Sequence, residues 1–161
     1  MKWTALLTAL ALSMPAGGTE RPEFEITVAQ EVGAKAGDAT LHFDLSYNGQ
    51  QPVRIRASSV PGTQDTAIWI LAERFLDIGS STRGDCPRLK EIIFIDDGKL
   101  GSTTIHPGQH IKQSIKLSDR YSNTAQVVGK CDTVVFWSYK PDKETGDSQR
   151  VSGAILLPGA H

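Results

Sequence analysis

Apolar and polar positions alternate along much of the chain, with turn residues between the runs, the pattern of antiparallel strands buried on one face. "FEITVAQEV" sets Phe24, Ile26 and Val28 on one side. "TLHFDLSY" gathers Leu41, Phe43, Leu45 and Tyr47, with His42, Asp44 and Ser46 opposite. The turn "NGQQ" follows, and "PVRIRA" returns with Val53 and Ile55 inward and Arg54 and Arg56 outward. Pro52 suits the strand start, where its missing N–H does no damage. "EIIFID" predicts a short buried strand ended by the turn "DDGK". Beyond the turn "HPGQ", "IKQSIKL" places Ile111, Gln113, Ile115 and Leu117 together, and "RVSGAILL" supplies the last strand after the charged loop "KPDKETGDSQ".

Two segments carry more than one reading. In "TAIWILAERFLDIG", Ile68, Leu71 and Phe75 fit a helix, whereas Ile68, Trp69 and Ile70 fit a strand; a strand over residues 67–74 is the expectation adopted. "CDTVVFWSYK" is apolar on both faces, Val134 and Phe136 pointing one way and Val135, Trp137 and Tyr139 the other. With Val134 and Phe136 turned to the core, Val135, Trp137 and Tyr139 are either covered by the loop 118–130 or by "TAIWIL", or exposed as a candidate binding surface rich in hot-spot residues. Eight short strands with little helix predict an all-β, two-sheet antiparallel sandwich.

The N-terminus stands apart from this pattern. "MKWTALLTALALSMPAGG" has Lys2, an apolar run from Trp3 to Met14 and then small residues, the arrangement of a secretory signal. The run is shorter than the about 20 residues a membrane span needs. The expected organisation is a signal peptide at 1–18 and one domain at 19–161, exported to the periplasm or beyond. The chain holds 17 basic and 18 acidic side chains for a net charge of −1, and residues 1–18 contribute only Lys2 to that count. A balance so close to neutral is no footprint for nucleic acid or an anionic membrane surface. The two cysteines, Cys86 and Cys131, form the even number expected in an oxidising compartment. Neither has a His or Cys within a few residues to complete a metal site, so a disulfide is expected, stabilising by about 4 kcal/mol through loop closure.

The order "LSYNGQQPVRI", "IHPGQHIKQSIKLSDRY" and then a strand of the "VVFWSY" kind resembles the immunoglobulin-like sandwiches of exported bacterial proteins, among them the N-terminal accessory domain of deuterolysin-type proteases. Leu117, Ser118 and Tyr121 match the Leu-Ser-x-x-Tyr corner of such domains. The resemblance implies an immunoglobulin-like fold and a structural role for Tyr121, whose hydroxyl would bond backbone at the corner. The protease half and its His-Glu-x-x-His helix are absent from the sequence, so the resemblance carries no catalytic residue.

Other chemistry is sparse. His106 and His110 flank a Pro-Gly turn that forbids the single helical face a zinc protease uses. No Gly-x-Ser-x-Gly or Ser-x-x-Lys motif occurs, and Ser118 beside Asp119 reads as turn chemistry. The acidic turns with Asp96 and Asp97, and with Asp142, Glu144 and Asp147, lack the spacing of a calcium loop. No catalytic residue, metal or cofactor is assigned. The expected function is an exported, non-catalytic module that binds another protein of the cell envelope, such as an inhibitor or immunity-type partner of an envelope enzyme. The alternatives are a structural or assembly subunit of an envelope complex, and a hydrolase or metal-binding protein with an unfamiliar site.

Overall fold

The computed structural model describes residues 21–33, 35, 37–62, 67–74, 86–93 and 100–159. The expected signal segment and the "DDGK" turn lie outside the described residues. Eight strands run through the described chain: β1 (Phe24–Val32), β2 (Ala39–Tyr47), β3 (Val53–Arg56), β4 (Trp69–Arg74), β5 (Ser102–Ile105), β6 (His110–Lys116), β7 (Thr133–Tyr139) and β8 (Val151–Leu157). Among the described residues, helix is confined to one short turn of α-helix, α1 (Thr124–Val127), and 3-10 turns at Ala57–Ser59 and Leu117–Asp119. All pairings between these strands are antiparallel, in three sheets ordered β1-β2-β6, β3-β5 and β4-β7-β8. The chain is thus all-β and sandwich-like.

Alternation places the core where the sequence pattern put it on β1, β2 and β6. Phe24, Ile26, Val28, Leu41, Phe43, Leu45 and Tyr47 are buried, as are Gln113 and Ile115. Opposite them stand Val135, Trp137 and Tyr139 of β7, all buried. Phe43 meets Trp137 edge-on at 6.1 Å between ring centroids, and Phe24 meets Tyr139 at 6.2 Å in the same manner. Such edge-to-face pairs add about 0.5–1.5 kcal/mol to the burial itself. Gly153, paired with Trp137 across β7 and β8, leaves the room the indole occupies, since a Cβ there would stand 2.7 Å from Cζ2 of Trp137.

This packing corrects the facing assigned to β7. Val135, Trp137 and Tyr139 are core residues, not a binding surface, while Val134 and Phe136 point outward. A strand apolar on both faces leaves its parity open, and side-chain direction flips with a one-residue change of register. The partners decide it: Ala72 and Ile155 flank Val135, and Ile70 and Gly153 flank Trp137, all on the inward side.

Two further expectations meet the structure. Residues 69–74 are strand, with Ile70 and Ala72 buried, so the helical reading of this segment gives way. "EIIFID" does not begin as a buried strand: Glu91 forms only an isolated bridge to Tyr121, and Ile93 is 91% exposed. Its remaining residues, 94–96, lie outside the described chain. The partner of β3 is β5, "STTI", a four-residue strand with one buried apolar side chain, Ile105, too polar for an alternation rule to find. The charged loop after β7 runs along the other side of β3. Arg56 N–H donates to the Asp142 carbonyl at 2.8 Å, Glu144 N–H donates to the Arg54 carbonyl at 3.1 Å, and the same residues form ion pairs through their side chains.

Burial raises the ionisation of the Tyr139 hydroxyl well above its ordinary range, and burial likewise raises that of Tyr121, the bond from the Ala72 N–H acting the other way. Unfolded tyrosines ionise near pH 10, so above that pH the unfolded state loses protons that the folded state keeps. Stability present below about pH 10 is therefore lost as pH rises further. Thermal melts between pH 8 and 11 should show a falling midpoint, with a shallower fall in Tyr139→Phe.

The two faces of β7 predict unequal responses to truncation. Trp137→Ala should lower stability by about 3–5 kcal/mol, whereas Phe136→Ser, at a half-exposed side chain, should lower it by about 1 kcal/mol. Urea denaturation of the two variants checks the parity directly.

Candidate functional site

The outward face of the β4-β7-β8 sheet is apolar where a solvated face is ordinarily polar. Two ladder rows build it: Leu71, Phe136 and Ala154, then Glu73, Val134 and Leu156. Trp69, opposite Ser138, extends it toward one edge. Trp69 is 54% exposed, Phe136 45% and Leu156 51%. Three large side chains about half exposed present on the order of 300 Å² of apolar surface, the size at which a patch on a single chain is often functional. Strand β7 therefore does carry an apolar surface, but through Val134 and Phe136 and not through the residues first expected. Only the sheet order, which brings Trp69 and Leu156 beside them, makes it continuous.

Trp69 also borders a cleft. Strand β4 ends its sheet, with β7 on one side and no strand among the described residues on the other. The Ala72 N–H points to that open side and donates to the Tyr121 hydroxyl at 2.8 Å. Tyr121 is thus a structural tyrosine that bonds backbone, but the backbone is that of β4 and not the corner preceding it. Because antiparallel ladders alternate, the backbone N–H and C=O of Ile70 point to the same side. There a cleft of about 290 Å³ opens between residues 68–70, residues 91–93, Arg120 and Tyr121.

The far wall of this cleft is fastened by polar contacts. Ile92 N–H donates to the Arg120 carbonyl at 2.7 Å, and Ser122 N–H to the Lys90 carbonyl at 2.9 Å. Asn123 clasps the same segment with its side chain: Nδ2 donates to the Arg88 carbonyl at 2.8 Å, and Oδ1 accepts the Lys90 N–H at 2.7 Å. Asn123 is 7% exposed, and nothing in the sequence pattern singles it out. The segment begins at Cys86, which is bonded to Cys131 as expected, with S–S 2.03 Å and Cα atoms 6.2 Å apart. The Arg74 guanidinium donates to the Cys86 carbonyl, tying the segment to the end of β4.

The polar face of β1-β2-β6 holds the histidines. His42 bonds Ser114 Oγ through Nδ1 at 2.8 Å and Glu31 Oε2 through Nε2 at 3.1 Å. This is a serine, histidine and carboxylate in sequence, but the ring nitrogens are used in the reverse order to a hydrolytic triad. His42 and Glu31 side chains are 43% and 66% exposed, and Ser114 is itself exposed, so the three lie open to solvent rather than in a closed site. His110 bonds Asp44 at 2.8 Å, with Lys112 3.9 Å from the same carboxylate. No group of three or more metal-ligating side chains converges among the described residues. Asp142 and Glu144 are paired with Arg56 and Arg54. No known protein family and no characterised protein matches the chain.

Loss of the cross-link, by Cys86→Ser with Cys131→Ser, is expected to lower stability by about 2–4 kcal/mol. Because the bridge tethers the cleft wall, hydrogen exchange of the residue 90–92 amides should accelerate more than that of β2. Urea denaturation and exchange mass spectrometry measure the two effects.

Proposed function

We propose that this chain is an exported, non-catalytic module that binds another protein through the outer face of the β4-β7-β8 sheet. The observation that carries the reading is the half-exposed Trp69, Phe136 and Leu156 on one continuous face. Export is supported by the signal-like segment at 1–18 and by the disulfide, which belongs to oxidising compartments. No helix among the described residues is long and apolar enough to cross a membrane. The partner suited to this face is a protein of the cell envelope with an apolar surface of its own, and an envelope enzyme held by an inhibitor or immunity-type protein fits that description.

The test separates binding from folding. Phe136→Ser with Leu156→Ser alters two outward, half-exposed side chains, so the variant should still fold cooperatively, with its melting temperature lowered by several degrees at most. Capture of the envelope partner by the variant should fall at least tenfold relative to the unaltered chain. Capture at full strength by a normally folded variant would defeat the reading.

A further inference from the structure

The cleft beside β4 carries chemistry that the flat sheet face lacks. An apolar surface alone accepts many occupants, but an open strand edge presents backbone donors and acceptors that only another backbone satisfies in register. At Ala72 the position is already filled by the Tyr121 hydroxyl. At Ile70 ladder alternation turns the N–H and C=O toward the cleft that Ile70 lines, and no backbone bond joins them to a described residue on that side.

We propose that this edge takes one extended segment of a partner protein, hydrogen-bonded to the Ile70 backbone beside the exposed Trp69, with an apolar side chain seated in the cleft. The cleft, at about 290 Å³, has room for one or two side chains and not for a helix. Its apolar lining comes from Ile68, Ile92 and the Tyr121 ring, with Trp69 and Ile93 at the rim, Ile93 being 91% exposed. A lipid chain would fill the apolar volume and leave the Ile70 backbone unmatched. A second copy is disfavoured by geometry: pairing of two β4 edges centred on Ile70 would place the incoming strand against Ala72, where Tyr121 stands. A single extended peptide avoids that obstacle. This deepens the protein-binding reading and rests on it, naming the form in which the partner arrives.

The experiment selects linear heptapeptides from a random displayed library on the oxidised full-length chain, then synthesises the best binder with and without one N-methyl group at each backbone position in turn. Selected peptides should alternate apolar and polar residues and should perturb the amide resonances of residues 68–70 and 92–93. At one position N-methylation should weaken binding about tenfold. Ile93→Asp, altering an exposed side chain, should weaken binding similarly with an unchanged melting temperature. Absence of any selected binder, or binding indifferent to N-methylation at every position, overturns the proposal. So does a dimer in sedimentation equilibrium that Ile93→Asp dissolves. If peptides fail while envelope capture still depends on Phe136 and Leu156, the edge proposal falls and the protein-binding reading stands. If peptides bind as expected while capture ignores Phe136 and Leu156, the edge stands without the sheet face.

Discussion

The edge-on contact of Trp137 with Phe43, at 6.1 Å, fixes which way β7 faces, and most of the outer surface follows from it. Strand β7 is the middle strand of its sheet, so its parity sets the parity of β4 and β8 through the ladder. Once Trp137 turns inward, Ile70 and Gly153 must turn inward beside it. Trp69, Phe136 and Leu156 are then left outward by the two-residue period of the strand. The inward set accepts a cost for its bulk, since Nε1 of Trp137 and the hydroxyl of Tyr139 are buried without a hydrogen-bond partner. Each such group costs about 1–3 kcal/mol. Burying a large aromatic side chain is worth a comparable amount or more, about 3–5 kcal/mol judged by truncation, so the aromatic packing prevails over the unpaired polar atoms.

The disulfide acts at a different place. It joins Cys131, just ahead of β7, to Cys86, across a sequence separation of 45. Its entropic contribution is to stability as a whole, but its local consequence is to hold residues 86–93 beside the edge of β4. Asn123 then sets the depth of that segment by bonding backbone at Arg88 and Lys90. Tyr121 fills the edge at Ala72 and forms one side of the cleft. Three different devices, one covalent, one amide and one phenolic, thus converge on a wall whose only large apolar exposure is Ile93.

How much of this was legible in the sequence varies with the strand. On β1, β2 and β6 the contrast between faces is strong, Phe43 and Leu45 against His42 and Asp44, so both the strand and its inward side could be read directly. The pairing of Cys86 with Cys131 was equally direct, because two cysteines allow one bridge. Strand β5 was hidden because "STTI" offers only Ile105 to the core and owes its place to β3. On β7 the strand was visible and its facing was not, since Val135, Trp137 and Tyr139 compete with Val134 and Phe136, and the strand's two polar residues, Thr133 and Ser138, fall one on each face. The candidate site suffered most from this. Trp69, Phe136 and Leu156 are far apart in sequence and become neighbours only through sheet order, which alternation does not encode. Asn123 and the open edge at Ile70 are properties of tertiary placement and leave no periodic trace.

An apolar sheet face beside an open strand edge is a hazard, because unpaired edges template association. The structure limits the hazard on each side of the patch. The row of Trp69 continues into Ser138 and Ser152, and Arg150 donates to Ser138 Oγ at 2.9 Å, placing a cation at that margin. Glu73 closes the opposite row. The Tyr121 hydroxyl takes up the Ala72 N–H, so the edge is open over only a few residues. What stays uncovered is an apolar patch with polar margins, next to a short stretch of backbone that is unpaired among the described residues.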